Sequence, residues 1–125
     1  MARKILLVED DPFLSEIYIT KFEQVGYEVE IATDGESAVK KAHEIHPDVM
    51  LLDIVLPKMN GLEVLAELKK DSSVNDIKMI VLSNLGSDED ISRAKEIGAD
   101  GYLVKSQYTP SEVVSQIENV INEKN

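Results

Sequence analysis

Charged residues directly follow three separate apolar runs of the chain. The run Ile5–Val8 is followed by Glu9, Asp10 and Asp11. The run Val49–Leu52 is followed by Asp53, and Tyr102–Val104 is followed by Lys105. Carboxylates that share a partly dry crevice repel one another, so they must take up protons or bind a cation. If folding brings these ends together, they form a pocket of several carboxylates and one ammonium, with the chemistry to hold a metal ion and a phosphoryl group.

The elements that carry these residues are short apolar runs that alternate with segments of helical periodicity. Apolar runs bounded by charge are typical of strands buried on both faces of a parallel sheet. The predicted strands are Ile5–Val8, Val29–Ala32, Asp48–Leu52, Met79–Leu82 and Gly101–Val104, and a predicted helix follows each of them. Strict alternation predicts an α/β fold, a doubly wound parallel five-stranded sheet with helices on both faces, in one domain over residues 1–125.

Local signals indicate where helices begin and which faces they bury. Asp11 is an expected N-cap ahead of Pro12, and Thr109 with Glu112 has the spacing of a capping box. The segment from Asp71 to Asp76 is expected to be a polar connector. The buried face predicted for the first helix consists of Leu14, Ile17, Tyr18, Phe22 and Val25.

Parallel strands of an open α/β sheet end at one edge, where ligands bind. Ser83 follows the fourth strand, so its hydroxyl is expected beside Asp10, Asp53 and Lys105. Oxygen donors without histidine or cysteine favour a hard cation, Mg²⁺ over Ca²⁺, because Mg²⁺ often combines one or two carboxylates with water and phosphate oxygens. A hydroxyl, an ammonium and Mg²⁺ around a carboxylate would bind the three outer oxygens of a phosphoryl group. The carboxylate can itself be the nucleophile, which gives an aspartyl-phosphate.

Each of these residues also has an ordinary structural explanation. Asp53 could be a turn residue, Ser83 a turn or capping residue, and Lys105 a solvated lysine. Their shared position at the ends of strands favours a site. His43 and His46 could in principle bind a transition metal, but a solvated helix face is the simpler interpretation.

Composition argues against several functional classes. With a net charge of −11, the chain is not expected to bind duplex nucleic acid directly, because the phosphates would be repelled. The sequence has no cysteine, which excludes disulfides, thiolate metal sites and thiol catalysis. No apolar run approaches membrane-spanning length and no signal peptide is recognisable, so we expect a cytoplasmic protein that does not associate with membranes.

Four short motifs resemble those of the receiver domain of bacterial two-component response regulators, which have a CheY-like fold. The motifs are Val8-Glu9-Asp10, Leu52-Asp53 with Leu56-Pro57 and Met59-Asn60-Gly61, Leu82-Ser83-Asn84, and Gly101-Tyr102-Leu103-Val104-Lys105. The resemblance covers essentially the whole chain. It implies a flavodoxin-like (βα)5 fold with strand order 2-1-3-4-5.

The resemblance also implies a role for each site residue. The implied roles are phosphoacceptor for Asp53, direct Mg²⁺ ligand for Asp10 and Asp53, water-mediated ligand for Glu9, backbone-carbonyl ligand for Val55, hydroxyl that follows the phosphoryl group for Ser83, phosphate-bridging ammonium for Lys105, rotating aromatic for Tyr102, and a secondary place for Asn84. For Tyr102, an edge-strand tyrosine with a wet hydroxyl is the alternative.

The implied function is a phosphorylation-dependent signalling switch. A sensor histidine kinase or a histidine phosphotransfer protein would donate the phosphoryl group, with Mg²⁺ as cofactor. A downstream protein or a second copy would bind the face made by the fourth helix, fifth strand and fifth helix. Such a protein is not an ordinary enzyme, since it catalyses only its own phosphotransfer and slow dephosphorylation. We expect a single-domain regulator that acts through protein contacts, because the last helix has Lys124 as its one cation and lacks the arginines of charge-linked receiver dimers.

Three other functions fit parts of the pattern. A binding module could keep the fold without being phosphorylated, although every acceptor-site residue is present. An Mg²⁺-dependent phosphatase with an aspartyl nucleophile would need a second aspartate where Val55 stands. A flavodoxin-like FMN carrier would need a phosphate-binding loop after the first strand, where the acidic residues 9–11 would repel phosphate.

Two features depart from the family pattern. The family usually has proline after the lysine, often in a cis peptide. Here the residue is Ser106, and a cis bond to a non-proline costs about 2.5–4 kcal/mol, which leaves the geometry of this loop open. Val55 and Leu85, two residues beyond Asp53 and Ser83, are apolar and cannot orient water. A long-lived phosphorylated form is therefore expected.

Overall fold

Five strand–helix units alternate along the chain, and the structure, a computed structural model, describes residues 3–122. The strands are β1 (Lys4–Val8), β2 (Glu28–Ala32), β3 (Val49–Leu52), β4 (Lys78–Ser83) and β5 (Gly101–Val104). The helices are α1 (Pro12–Gln24), α2 (Gly35–Ile45), α3 (Gly61–Lys69), α4 (Asp88–Ile97) and α5 (Pro110–Asn122), with a short 3₁₀ helix (Lys105–Gln107) after β5. Every predicted element is present, with small shifts at its ends. Lys124 lies outside the described residues.

All five strands are parallel, in the order β2-β1-β3-β4-β5. This confirms the doubly wound sheet and the strand order that the resemblance implied. The chain leaves β1 towards β2 and then returns to β3 on the other side of β1. The loops that follow β1 and β3 therefore diverge and open a crevice at the carboxyl edge of the sheet.

Two apolar layers cover the sheet, one on each face. Helices α2, α3 and α4 bury one face through small and branched residues such as Ala42, Leu65 and Ala94. Helices α1 and α5 bury the other, with Phe22 and Ile117 completely enclosed. Full burial of an aliphatic or aromatic side chain stabilises the fold by about 1.5–3 kcal/mol. The layers hold β1, β3 and β4 rigid and so fix the positions of the residues that follow them.

Strand β5 is less buried than its apolar sequence predicts. It lies at an edge of the sheet and pairs with β4 alone. Leu103 is buried, whereas Tyr102 and Val104 are only partly buried. The expectation of burial on both faces is wrong here because an edge strand has a neighbour on one side only. Tyr102 consequently lies between the core and solvent.

The buried face of α1 is narrower than its sequence predicts. Ile17 is 45% exposed and Val25 is 50% exposed, so both lie outside this face. The helix packs through the stripe that contains Tyr18 and Phe22, and it ends before Val25. The connector between α3 and β4, expected to be polar from Asp71 to Asp76, carries two buried apolar anchors, Val74 and Ile77.

Side-chain caps fix the helix ends that face the carboxyl edge. The Asp11 carboxylate accepts hydrogen bonds from the backbone N–H groups of Phe13 and Leu14 at 3.0 and 3.3 Å, as expected of an N-cap. At the start of α5, Thr109 and Glu112 form the reciprocal pair of a capping box, at 2.8 and 3.1 Å. Both sequence predictions are confirmed.

The two histidines bind carboxylates of the α3–β4 connector. His43 Nε2 lies 2.8 Å from Asp71, and His46 Nε2 lies 3.0 Å from Asp76. The Asp71 hydrogen bond raises the pKa of His43, and the same contact, together with hydrogen bonds from Ser73, lowers the pKa of Asp71 to about 2. These side chains are partly exposed, so the prediction of a solvated helix face is correct in part. The same face also joins the end of α2 to the connector through the two histidine–aspartate contacts.

Within residues 3–122, no helix has both the length and the apolar character needed to cross a lipid bilayer.

Candidate functional site

An ammonium bridges two nearly buried carboxylates at the carboxyl edge of the sheet. Lys105 Nζ donates hydrogen bonds to Glu9 Oε1 at 2.7 Å and to Asp53 Oδ2 at 2.8 Å. The side chains of Lys105, Glu9 and Asp53 are 11%, 3% and 9% exposed, respectively. Residues separated by most of the chain are therefore in direct contact, as expected from their places at strand ends.

The strand order explains why these side chains meet. β1 and β3 are neighbours in register, with Val8 opposite Leu52, so Glu9 and Asp53 leave the sheet side by side. The backbone N–H of Asp53 donates to the carbonyl of Val8 at 3.1 Å and continues this pairing. β5 lies two strands from β3, about 9–10 Å at the usual strand spacing. A long side chain such as that of Lys105 can bridge this gap.

Three carboxylates of the site are placed to hold a cation. One oxygen from each of Glu9, Asp10 and Asp53 lies within 4.8 Å of the other two. The donors are all hard oxygens, which fits Mg²⁺. Asp10 is exposed, so the outer side of the group is open to water and to phosphate oxygens.

The carboxylates keep Lys105 charged. Burial would lower the pKa of Lys105, but hydrogen bonds to Asp53 and Glu9, together with their negative charges, outweigh this effect and raise it. The side chain is therefore an ammonium at neutral pH. Its charge lies where an incoming anionic group would meet the Asp53 carboxylate.

The backbone around Asp53 leaves no room for a side chain at position 61. A Cβ atom on Gly61 would lie 2.1 Å from the carbonyl oxygen of Asp53, and Gly61 N–H donates to the carbonyl of Ile54 at 2.8 Å. Sequence reasoning missed this role, although glycine directly after the N-cap Asn60 was a signal of close approach. The Asp53 side chain is steadied in turn by Val55 N–H, which donates to Oδ1 at 3.3 Å.

We expect Gly61→Ala to displace the backbone of Asp53 and to lower the free energy of unfolding, although the substitution adds only one methyl group. The added methyl group must push the Asp53 carbonyl away, which costs about 1–3 kcal/mol of unfolding free energy. Urea unfolding and Mg²⁺ titration followed by NMR would show both the lost stability and a shifted Asp53 backbone amide. The matched control is Gly26→Ala, where an added Cβ meets nothing within 4 Å but the positive φ of 96° strains the backbone. Loss of stability in both variants with an unshifted Asp53 amide would contradict the close-approach explanation.

Ser83 and Tyr102 both bind the backbone of Leu85. Ser83 is fully buried, and its Oγ accepts a hydrogen bond from Leu85 N–H at 3.2 Å. The Tyr102 hydroxyl donates to the carbonyl oxygen of Leu85. Accepting from Leu85 leaves the Ser83 O–H free to donate elsewhere. The loop between β4 and α4 is thus connected at one residue to two of the predicted site residues, a link that no sequence pattern indicated.

The remaining predicted residues lie at the rim. Val55 is 64% exposed and Leu85 is 39% exposed. Asn84 is exposed and makes no side-chain hydrogen bond within residues 3–122. Lys105 and Ser106 begin the 3₁₀ helix, and no peptide bond in the described part of the chain is cis, so the loop without proline is built from trans bonds.

Comparison with protein-family models decides the family. Residues 5–118 match the model described as the response regulator receiver domain. The chain belongs to this family. The chain is thus a receiver domain, the response-regulator module of two-component signalling.

Known proteins of this family resemble the chain over nearly all its length. PhoB, the phosphate regulon transcriptional regulatory protein of Escherichia coli strain K12, is 39% identical over 121 residues, which are 97% of this chain and 52% of PhoB. The chemotaxis response regulator CheY4 of Vibrio cholerae gives a TM-score of 0.89 at 29% identity and covers 96% of this chain and 99% of CheY4. The Mn²⁺-bound form of response regulator Rcp1 gives 0.85 at 29% identity, with 98% and 97% covered. This chain spans about half the length of the curated relatives it matches.

Proposed function

We propose that the chain is a phosphorylation-dependent switch that accepts a phosphoryl group on Asp53. The observation that carries this proposal is the contact of Lys105 Nζ with Asp53 Oδ2 at 2.8 Å, beside a group of three carboxylates. Phosphoryl transfer needs mainly positioning and neutralisation of charge, and this edge of the sheet supplies both. The proposed donor is a phosphohistidine on a sensor histidine kinase or on a phosphotransfer protein.

The proposed step is an in-line displacement at phosphorus. An Asp53 carboxylate oxygen attacks, the new O–P bond forms, and the N–P bond to histidine breaks with its electron pair left on the imidazole. Lys105 moves its hydrogen bond from Asp53 to a phosphoryl oxygen. Mg²⁺, when held by Asp10, Asp53, the Val55 carbonyl and Glu9 through water, would neutralise the remaining phosphoryl oxygens. The Mn²⁺ bound to Rcp1 supports a divalent cation in this fold.

The proposed response passes through Ser83, Leu85 and Tyr102. The free O–H of Ser83 would donate to the phosphoryl group and draw the β4–α4 loop with it. Since Tyr102 holds the carbonyl of Leu85, the same movement would release or reorient the tyrosine. Two added negative charges would thereby change the α4–β5–α5 face. Ala94 is the one fully enclosed residue of α4, so this helix is loosely anchored and suited to move.

We infer that the changed face binds a downstream protein or a second copy of the chain, in the cytoplasm and without direct contact to nucleic acid or membrane. The net charge of −11 supports a protein partner over a nucleic acid. PhoB is a transcriptional regulatory protein, so an output through gene expression is the effect we propose for a longer polypeptide that contains such a domain. We also propose that residues 1–125 form one receiver domain.

The test is incubation with Mg²⁺ and acetyl phosphate, followed by measurement of the intact mass. The proposal requires the mass of one added phosphoryl group, which a chelator present from the start prevents. A phosphorylation-independent binding module is the main alternative. It is favoured if the mass never changes and if Asp53→Asn keeps full binding to a partner identified for the wild type.

We expect the phosphorylated form to persist for hours. Val55 and Leu85 flank the site with apolar side chains, so no group at either position can orient a water for attack on phosphorus. Val55→Asn supplies such a group and should speed hydrolysis about tenfold, equal to about 1.4 kcal/mol of activation free energy. Val55→Ala is the matched control and should hydrolyse at nearly the wild-type rate. Hydrolysis of the wild type within minutes would contradict this explanation.

A further inference from the structure

The loop that follows Asp53 rests on the first turn of α2. The N–H of Gly35, the first residue of α2, donates to the carbonyl oxygen of Pro57 at 3.3 Å. A Cβ atom on Gly35 would overlap the carbonyl oxygen of Met59 and would lie 2.6 Å from the Met59 Cβ atom. The nearest atom belongs to the backbone, so no rotation of a flexible side chain can make room for an added methyl group. Only glycine allows the loop to lie this close to α2.

The part of the loop that touches α2 has a strained backbone. Lys58 has a positive φ of 69°, which residues other than glycine rarely adopt. The N–H of Met59 donates to the carbonyl oxygen of Pro57 at 2.7 Å, so the chain reverses within three residues. A strained conformation of this kind persists only when the surrounding structure holds it. Gly35 supplies part of that support, because its N–H binds the same Pro57 carbonyl oxygen.

Val55 lies between this contact and the one at Gly61. Its N–H donates to Asp53 Oδ1 at 3.3 Å, which places its backbone beside the proposed acceptor. The carbonyl oxygens of Ile54 and Pro57 are bound by Gly61 and Gly35, respectively, but that of Val55 accepts no hydrogen bond from the protein within residues 3–122. A free backbone carbonyl is a suitable ligand for a hard cation. The two glycine contacts therefore set where this ligand lies.

We propose that Gly35 is a positioning residue for metal binding, which holds the β3–α3 loop against α2 and so keeps the Val55 carbonyl oxygen beside the Asp53 carboxylate. A larger residue at position 35 pushes the turn at Lys58 away from α2, and Val55 moves with it. The displaced carbonyl binds Mg²⁺ less well, because this ion demands a nearly ideal octahedral arrangement of its ligands. This inference rests on the proposed function, in which Asp53 and Val55 hold Mg²⁺, and adds a residue of α2 to it.

The experiment compares the Mg²⁺ affinity of Gly35→Ala with that of the wild type by NMR titration, and we expect the affinity to fall about tenfold. Ala42→Gly is the matched control. Ala42 is a fully buried residue about two turns further along the same helix. Its substitution removes a packed methyl group and favours the unfolded chain, so urea unfolding should show a loss of stability. Because Ala42 lies away from the loop, the Mg²⁺ affinity of this control should equal that of the wild type.

The Mg²⁺ dependence of phosphorylation separates metal positioning from a general loss of structure. With acetyl phosphate as donor, the Mg²⁺ concentration that gives half the maximal rate should rise about tenfold in Gly35→Ala, while the rate at saturating Mg²⁺ stays within about twofold of the wild type. An unchanged Mg²⁺ dependence would overturn the inference and leave the phosphoacceptor role of Asp53 standing. If the wild type neither binds Mg²⁺ nor reacts, the proposed function fails and this inference fails with it.

A measurement on the wild type covers the case in which Gly35→Ala does not fold. The backbone amide signals of the six glycines are followed during an Mg²⁺ titration. The Gly35 signal should shift, because its N–H is bonded to the loop that carries Val55. The signals of Gly26 and Gly98, which follow α1 and α4 at the opposite edge of the sheet, should stay in place. A Gly35 signal that does not move while that of Val55 does would contradict the proposed coupling.

Discussion

Asp53→Asn is expected to abolish covalent phosphorylation and to leave the fold intact. The amide has nearly the same shape as the carboxylate but is not a nucleophile towards phosphorus. Lys105 keeps its hydrogen bond to Glu9 at 2.7 Å, and one negative charge leaves a crowded acidic group. The melting temperature should therefore change little, while the Mg²⁺ affinity should fall because one of three carboxylates is lost.

The intact mass after incubation with acetyl phosphate and Mg²⁺ measures this effect. Asp11→Asn is the matched control, since it also removes one negative charge at the carboxyl edge of the sheet. Asp11 caps α1 and is not part of the three-carboxylate group, and asparagine is as good an N-cap as aspartate. Asp11→Asn should be phosphorylated like the wild type. Equal labelling of Asp53→Asn would show that another residue is the acceptor.

Lys105→Met should impair both phosphorylation and stability. Loss of a charge that neutralises the transferring group typically costs about 10²–10³ in rate. In the metal-free protein, the variant leaves Glu9 and Asp53, 3% and 9% exposed, facing each other without a cation. Removing one partner of such a buried arrangement costs about 3 kcal/mol of unfolding free energy. Mg²⁺ should restore much of it, because the cation binds more tightly to a group that has lost its ammonium.

Urea unfolding with and without Mg²⁺ measures the stability of this variant. Lys69→Met is the matched control, because Lys69 is also partly buried and bonded to a carboxylate, Asp100 at 3.3 Å, away from the acidic group. Its loss of stability should be the same with and without Mg²⁺. If Mg²⁺ stabilises Lys105→Met no more than the wild type, the ammonium and the cation do not share the site.

Much of the fold could be predicted because its signals are local. The apolar runs of β1, β3 and β4 and the caps at Asp11 and Thr109 are set by neighbouring residues in the sequence. The exposure of β5 could not be predicted in this way. Whether a strand is central or at an edge depends on the order in which strands pair, and the sequence of Tyr102–Val104 is equally compatible with both.

In the candidate site, too, some contacts could be predicted from the sequence and others could not. Because parallel strands end at one edge, the proximity of Glu9, Asp53 and Lys105 follows from the predicted alternation. The contacts of Leu85 with Ser83 and Tyr102 involve backbone atoms of a loop, and the constraint at Gly61 arises from the path of another segment. Such contacts depend on atomic positions to within about an ångström, and the spacing of residues in a sequence does not specify positions this finely.

The acceptor role of Asp53 is tested most directly by locating the phosphoryl group in the wild-type protein. After reaction with acetyl phosphate and Mg²⁺, the protein is digested, and its peptides are sequenced by mass spectrometry under conditions that preserve acyl phosphates. We expect a single modified residue, Asp53, in the peptide that follows β3. A phosphoryl group on Asp10, on Glu9 or on a histidine, with Asp53 unmodified, would contradict the central claim.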